Sequence, residues 1–188
     1  KESVFDSYCK TSGIETKRRN SNLGPPPYPS KKILEKYALI HSPKTNLPYR
    51  NANVDSWESV VNDLRDRGYS VFQIQGNDIA PQLKTESVGD LMFYVGNADL
   101  FIGVDSGPLQ IAVAYNIASV GLFGSVNWTL RYIPSPNLQI LTGECPHQNC
   151  YHSTIGTTGT PCLLSQDVPQ CTKHTSKQIS DAINKLSK

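Results

Sequence analysis

The chain has 188 residues, 38% hydrophobic, 18% charged and 9% aromatic, with 13 Gly and 13 Pro; this allows one domain with a core plus an appendage and excludes general disorder or a second large domain. Net charge is only +2, no apolar run approaches the roughly 18 residues that cross a bilayer, and no signal-peptide core opens the chain. A soluble, cytoplasmic protein without a transmembrane segment is expected, with the inner membrane surface as the alternative location.

Residues 1–36 read as a linker or strap. They carry eight Lys/Arg against four acids, and "NLGPPPYPSKK" sets prolines at 25, 26, 27 and 29, which favour extended polyproline geometry over helix. The basic run "TKRRNSN" has no interleaved aromatic residue, so a solvated segment is expected and no nucleic-acid partner. A first residue of Lys rather than Met fits a trimmed chain or a piece of a longer one.

Residues 37–141 alternate short apolar runs with amphipathic stretches. "YALIH" at 37–41 predicts a strand, and the polar loop "SPKTNLPYRNANV" follows it. "DSWESVVNDLRDRG" predicts a helix that opens on Asp55 and Glu58 at capping-box spacing, puts Trp57, Val60, Val61 and Leu64 on one face, and stops at Gly68. "YSVFQIQ" is the second strand. "SVGDLMFYVGN" predicts a helix with Val88, Leu91, Met92 and Val95 on one stripe, and "DLFIGV" a third strand. "GPLQIAVAYN" reads as a short helix and "SVGLFG" as a fourth strand. Short apolar strands separated by helices need crossovers, which predicts an α/β fold: a single Rossmann-like, doubly wound parallel sheet covered on both faces.

In such sheets ligands bind beyond the carboxyl ends of the strands, which selects the loops at 42–51, 104–108 and 123–128. At the third strand, Asp105, Ser106, Gly107 and Pro108 turn directly into a helix. Gly107 permits close approach, Pro108 suits a first turn where an N–H is dispensable, and Ser106 is the expected cap. Free helix N–H groups at such a turn favour phosphate. Asp105 either fixes the turn by accepting backbone N–H groups or bonds a sugar hydroxyl. Gly124 and Ser125 repeat the pattern on the next strand, while Lys44, Thr45 and Arg50 supply a basic and polar loop. No phosphate-binding P-loop, GxGxxG or HExxH motif is present. Asp78, Glu86 and Asp90 read as loop and cap residues, which leaves Asp105 as the best available base and the catalytic residues unassigned.

The segments "YALIHSPKTN", "GYSVFQIQG" and "GDLMFYVGNADLFIGVDSGPLQIAVAYNIASVGLFGSVN" resemble the carboxyl-terminal half of glycosyltransferase family 9, the heptosyltransferase-like enzymes of GT-B architecture. The resemblance spans about residues 37–130 and is strongest over 90–125. It implies a domain that binds a nucleoside-diphosphate sugar for sugar transfer, with Asp105, Ser106 and Gly107 beside the donor diphosphate and sugar and Lys44 and Thr45 facing the phosphates. Pro108, Gln110, Arg50, Gly124 and Ser125 complete the expected donor site. Transfer in this family needs no divalent metal; cations and helix amides stabilise the departing diphosphate. Three departures stand out. Gln110 occupies the position where the family commonly has His, Arg50 lies seven residues before Trp57, and the amino-terminal half with the acceptor site is absent. Residues 1–36 look like the end of that half and its linker, so the other half of a GT-B protein is the expected partner. The alternative is a nucleotide or nucleotide-sugar binding module that does not transfer.

Residues 142–188 form a cysteine-containing, loop-rich tail and a closing helix. Cys145, Cys150, Cys162 and Cys171, with His147, His152 and His174 nearby, suit disulfides or reduced structural thiols; structural zinc is the less favoured alternative, because the four-residue spacing of the first pair is looser than a zinc knuckle. Some members of the resembled family carry a cysteine cluster here. Cys9 is left without an assigned role. "TSKQISDAINKLSK" predicts a helix capped by Thr175 or Ser176, with Ile179, Ile183 and Leu186 on one face.

Overall fold

A computed structural model describes residues 10–13, 36–75, 78–152, 162–165 and 167–186. Most of the strap at 1–36, including the proline run and Cys9, lies outside the described residues. Five parallel strands form the sheet: β1 (Tyr37–His41), β3 (Ser70–Gln75), β4 (Leu100–Val104), β5 (Ser119–Phe123) and β6 (Leu138–Thr142), in the order β3-β1-β4-β5-β6. The sequence predicts four of these; β6 is added by the structure. Its alternation is weak because only Leu138 is fully buried, as expected of an edge strand. A two-residue pair, β2 (Asn53–Val54) with β7 (Lys173–His174), is also parallel and joins the first loop to the tail.

Four helices cover the sheet: α1 (Trp57–Asp66), α2 (Val88–Gly96), α3 (Gly107–Ala114) and α4 (Ser176–Leu186). Strand side chains alternate between two cores. Ala38 and Ile40 of β1 face Val60, Val61 and Leu64 of α1 and Ile179 and Ile183 of α4, while Tyr37 and Leu39 face Val95, Leu109 and Ala112 on the other side. β1, β4 and β5 are buried throughout, the signature of strands covered on both faces. The stripe predicted for α2 is corrected at one position: Val88 is 70% exposed, because the helix begins there and its first turn lies beyond the sheet.

Helix ends follow local chemistry. In α1 the cap is Ser56, whose hydroxyl accepts from Ser59 N, and not Asp55 in a box with Glu58. Asp55 instead joins two helices: its Oδ1 accepts from Ser56 N and Ser176 N, both at 2.7 Å. These bonds hold the Asp55 carboxyl below its usual pKa, Ser176 N–H first. Asp90 forms a capping box with Ser87, as a cap residue should. Thr175 caps α4, accepting from Gln178 N at 3.1 Å. At the other end of this layer, Arg67 bonds Asp63 on its own helix and Ser180 and Asn184 on α4.

The tail is anchored against the sheet. Gly143 N donates to Cys171 O at 3.2 Å, and a Cβ at Gly143 would stand 2.5 Å from that same oxygen. No other residue type fits without parting β6 from the tail. Two residues past the Cys171–Thr172 turn, His174 is 3% exposed and neither ring nitrogen has a hydrogen-bond partner among the described residues.

Burial lowers the His174 pKa from 6.5 to about 4. Between these values the unfolded chain binds the proton and the folded chain does not, so stability is fully present above pH 6.5 and declines as pH falls toward 4. The decline should reach about 3 kcal/mol. Asp55 loses its contribution only in the lower window, as pH drops from the ordinary carboxylate range through its lowered pKa. Urea midpoints measured from pH 7.5 down to 4.5 should fall in the native chain and fall distinctly less in His174→Gln, which cannot take up the charge.

Candidate functional site

Strand order places the site. The chain runs from β1 to β3 on one side of β1 and then to β4 on its other side. Connections therefore leave the carboxyl ends of β1 and β4 in opposite directions and open a crevice between them. His41 ends β1, and Val104 ends β4. Asp105 and Ser106 follow at the rim, and α3 begins at Gly107.

Ser106 stands at the N-cap of α3 but does not cap it. Its hydroxyl donates to Val104 O at 2.9 Å and lies 3.1 Å from His41 Nδ1. This corrects the sequence expectation. The competing carbonyl of β4 lies closer along the chain, and the first N–H groups of α3 are left without a side-chain cap and with no acid in the first turn. With the Ser106 proton directed at Val104, His41 Nδ1 is the donor in the contact between the two. The pair is thus a fixed strut and not an activated nucleophile. Burial lowers the His41 pKa, a shift partly offset by a bond to Gln75, so the imidazole stays neutral near pH 7.

Arg50 reaches the same rim from the loop after β1. A 3-10 turn, Pro48–Arg50, buries Tyr49 and projects Arg50, whose Nη2 donates to Asp105 O at 3.1 Å and Asp105 Oδ2 at 3.2 Å. The guanidinium carbon stands 5.8 Å from the Tyr151 ring centroid. Asp105 is consequently a counter-ion for a cation, which neither of the roles foreseen for it included. Pro108 sits in the first turn of α3 as predicted, and a Cβ at Gly107 would meet nothing within 4 Å, so the space over the helix start is open. Gln110 is exposed one turn on and interacts with the Tyr132 hydroxyl. Burial and then the negative charge of Asp105 raise the Tyr132 pKa, leaving the phenol protonated.

Other expected donor residues do structural work. Ser125 is fully buried, and both its N–H and its hydroxyl donate to Tyr49 O. A Cβ at Gly124 would stand 2.6 Å from that oxygen and 2.9 Å from Thr172 Cγ2. These two residues clamp the Arg50 loop from behind rather than facing a ligand, because the tail packs over them. Thr45 is committed to its own loop, its N–H and hydroxyl both donating to Asn51 Oδ1 at 2.9 Å. Lys44 borders a different cleft, of about 590 Å³, with Trp57, Arg65 and Asp78.

Arg131 was not foreseen. It follows a 3-10 turn, Trp128–Leu130, after β5, and its Nε lies 4.0 Å from Asp105 Oδ2 without a hydrogen-bond partner. The seven residues between the end of β5 and Arg131 carry no motif that would have marked it.

In the tail, Cys145, Cys150, Cys162 and Cys171 are not joined by disulfides in the structure. They lie near enough together to act on one another: burial and then the other three sulfurs push the Cys171 thiol up to about 12, and burial, Cys145 and Cys162 raise Cys150. Among the described residues no three His, Cys, Asp or Glu side chains stand at a spacing that would hold a metal ion. Cys150 is buried with Tyr49 and Tyr151, immediately behind Arg50.

Residues 72–155 match the family described as Glycosyltransferase family 9 (heptosyltransferase), and the strongest part of the resemblance read from sequence falls inside that span. No curated protein matches the chain. Among solved structures, the dodecameric iron-containing heptosyltransferase TibC of enterotoxigenic E. coli H10407, in complex with ADP-D-beta-D-heptose, aligns with TM-score 0.70 at 22% identity, covering 93% of this chain and 50% of that one. The E. coli heptosyltransferase WaaC with ADP aligns with TM-score 0.61 at 12% identity, over 95% of this chain and 54% of that one. A family 9 glycosyltransferase from Veillonella parvula DSM 2008 gives 0.58 at 16%, over 85% and 48%. Likeness at these identities is one of fold: an α/β, five-stranded parallel sheet of heptosyltransferase type. The chain spans about half the length of these relatives. Among the described residues no helix is long and apolar enough to cross a membrane.

The two classes of small residue at the rim should respond oppositely to substitution. Gly107→Val fills open space, so the melting temperature should hold. Ser125→Ala removes a buried hydrogen bond and should lower stability by about 1 kcal/mol, read as a shift in the denaturant midpoint.

Proposed function

We propose that this chain is the donor-binding half of a glycosyltransferase and that the crevice between β1 and β4 takes the diphosphate of a nucleoside-diphosphate sugar. One observation carries the reading. An uncapped helix start, open space over Gly107 and a guanidinium held by Asp105 meet at a single strand edge. Helix N–H groups and a fixed cation are what a diphosphate needs, both when bound and when it departs with the negative charge of bond cleavage. Pro108 and Gln110 border this opening. The relatives in complex with ADP and ADP-heptose support an adenine nucleotide as the first donor to test.

Transfer also requires a base to deprotonate the acceptor hydroxyl. Asp105 is paired with Arg50 on both its carbonyl and its carboxylate, so its carboxylate faces a guanidinium rather than an acceptor hydroxyl. The base then comes from the other half of a GT-B protein, the proposed partner of this chain. The rival reading, a nucleotide-binding module without turnover, draws on the same engagement of Asp105. Calorimetry with ADP, GDP and UDP should give micromolar-range heat for at least one. Adding ADP-heptose and an acceptor to the protein that includes the other half should release the free nucleoside diphosphate. Binding without release would favour the module; no binding to any of the three would defeat both readings.

The four thiols bear on the tail that braces this site. Among the described residues no three of them stand at a spacing that would hold an ion, and we infer that they are structural thiols of the tail. Chelation should leave the melting temperature of the purified chain unchanged. A fall on chelation that reductant alone does not produce would overturn this and favour a thiolate-bound ion.

A further inference from the structure

Arg131 has no role in the donor site as described so far, and its surroundings give it one. Asp105 Oδ2 lies 3.2 Å from Arg50 Nη2 and 4.0 Å from Arg131 Nε, so one carboxylate oxygen faces two guanidinium groups from loops 81 positions apart in the chain. Exposure decides what the surface presents. The Asp105 side chain is 10% exposed, whereas those of Arg50 and Arg131 are 31% and 29% exposed. A ligand arriving at the rim therefore meets guanidinium, with the carboxylate behind it. Among the described residues the buried Arg131 Nε has no hydrogen bond, so its contact with Asp105 is a charge attraction. One aspartate against two arginines leaves a net positive charge at the mouth of the uncapped α3 helix.

We propose that Arg131 is a second diphosphate-binding cation of the donor site and that Asp105 is a positioning residue which holds Arg50 and Arg131 side by side. The proposal rests on the donor-binding reading and deepens it. Two guanidinium groups repel each other, and in the absence of a shared anion they would separate into solvent. Asp105 keeps them together before the ligand arrives, so that a diphosphate finds both forks already placed. A diphosphate offers one charged group to each fork, where a monophosphate offers a single group for the two to share. This pair also supplies the charge that Gln110, a neutral amide, cannot bring.

The test is calorimetric titration of the full chain with adenosine, AMP and ADP, using Arg131→Gln, Arg131→Lys and Asp105→Asn alongside the native chain. The native chain should bind ADP about tenfold or more tightly than AMP. Arg131→Gln should lose about tenfold in ADP affinity and change AMP and adenosine little, and Arg131→Lys should recover part of the loss. Asp105→Asn gives the decisive sign. It removes a negative charge, so a residue that merely screened the arginines would yield tighter ADP binding, while a positioning residue yields binding about tenfold weaker. Unchanged ADP affinity in folded Arg131→Gln, or tighter binding in Asp105→Asn, overturns the proposal and leaves the donor-binding reading standing. Should Arg131→Gln not fold, Arg131→Lys and Asp105→Asn still decide. A native chain that binds none of ADP, GDP or UDP overturns the donor-binding reading itself.

Discussion

The site exists because β1 lies between two strands that the chain visits in opposite directions. A parallel sheet must cross over between strands, and each crossover carries its loop away from the strand it leaves. At β1 and β4 the loops part, and the carboxyl ends of those two strands remain uncovered. Every group that matters here is a consequence of that geometry. His41 and Ser106 meet across the gap, Arg50 enters from the first loop, and α3 presents its free N–H groups from the second.

An arginine on an 11-residue loop between β1 and β2 would ordinarily sample many positions. Here the loop is held from behind by the tail and by the end of β5. Tyr49 O takes two hydrogen bonds from Ser125, Tyr151 N donates to Ser125 O, and β2 pairs with β7. Close backbone approaches at Gly124 and Gly143 leave no room for this layer to shift. Asp55 ties α1 to α4 on the same edge, so the start of the first helix and the start of the last are fastened by one carboxylate. The cysteine-containing tail is thereby part of the scaffold that holds the Arg50 loop.

Charge is distributed sparingly. His41 is kept neutral by burial, and Gln110 is uncharged. Cations at the rim come from two arginines, whose charge does not vary over any physiological pH. Their common counter-ion, Asp105, is engaged with Arg50 at 3.2 Å and faces Arg131 at 4.0 Å.

The alternation of apolar runs with amphipathic stretches was sufficient to give the parallel α/β class, because burial on both faces and helical stripes are local signals with definite periods. Ser87 with Asp90, Gly68 after α1 and Pro108 at the start of α3 were legible for the same reason: caps and turns involve residues a few positions apart. Contacts set by distant segments were not legible. Nothing near Ser125 in the chain shows that Tyr49 will claim its hydroxyl, and nothing near Asp105 shows that arginines 55 positions before it and 26 after it will converge on its carboxylate. The sequence alone determined which strand ends could face a ligand, since that depends on order and hydrophobic period. Only the tertiary structure decided which side chains face it, because that depends on which loops the sheet brings side by side.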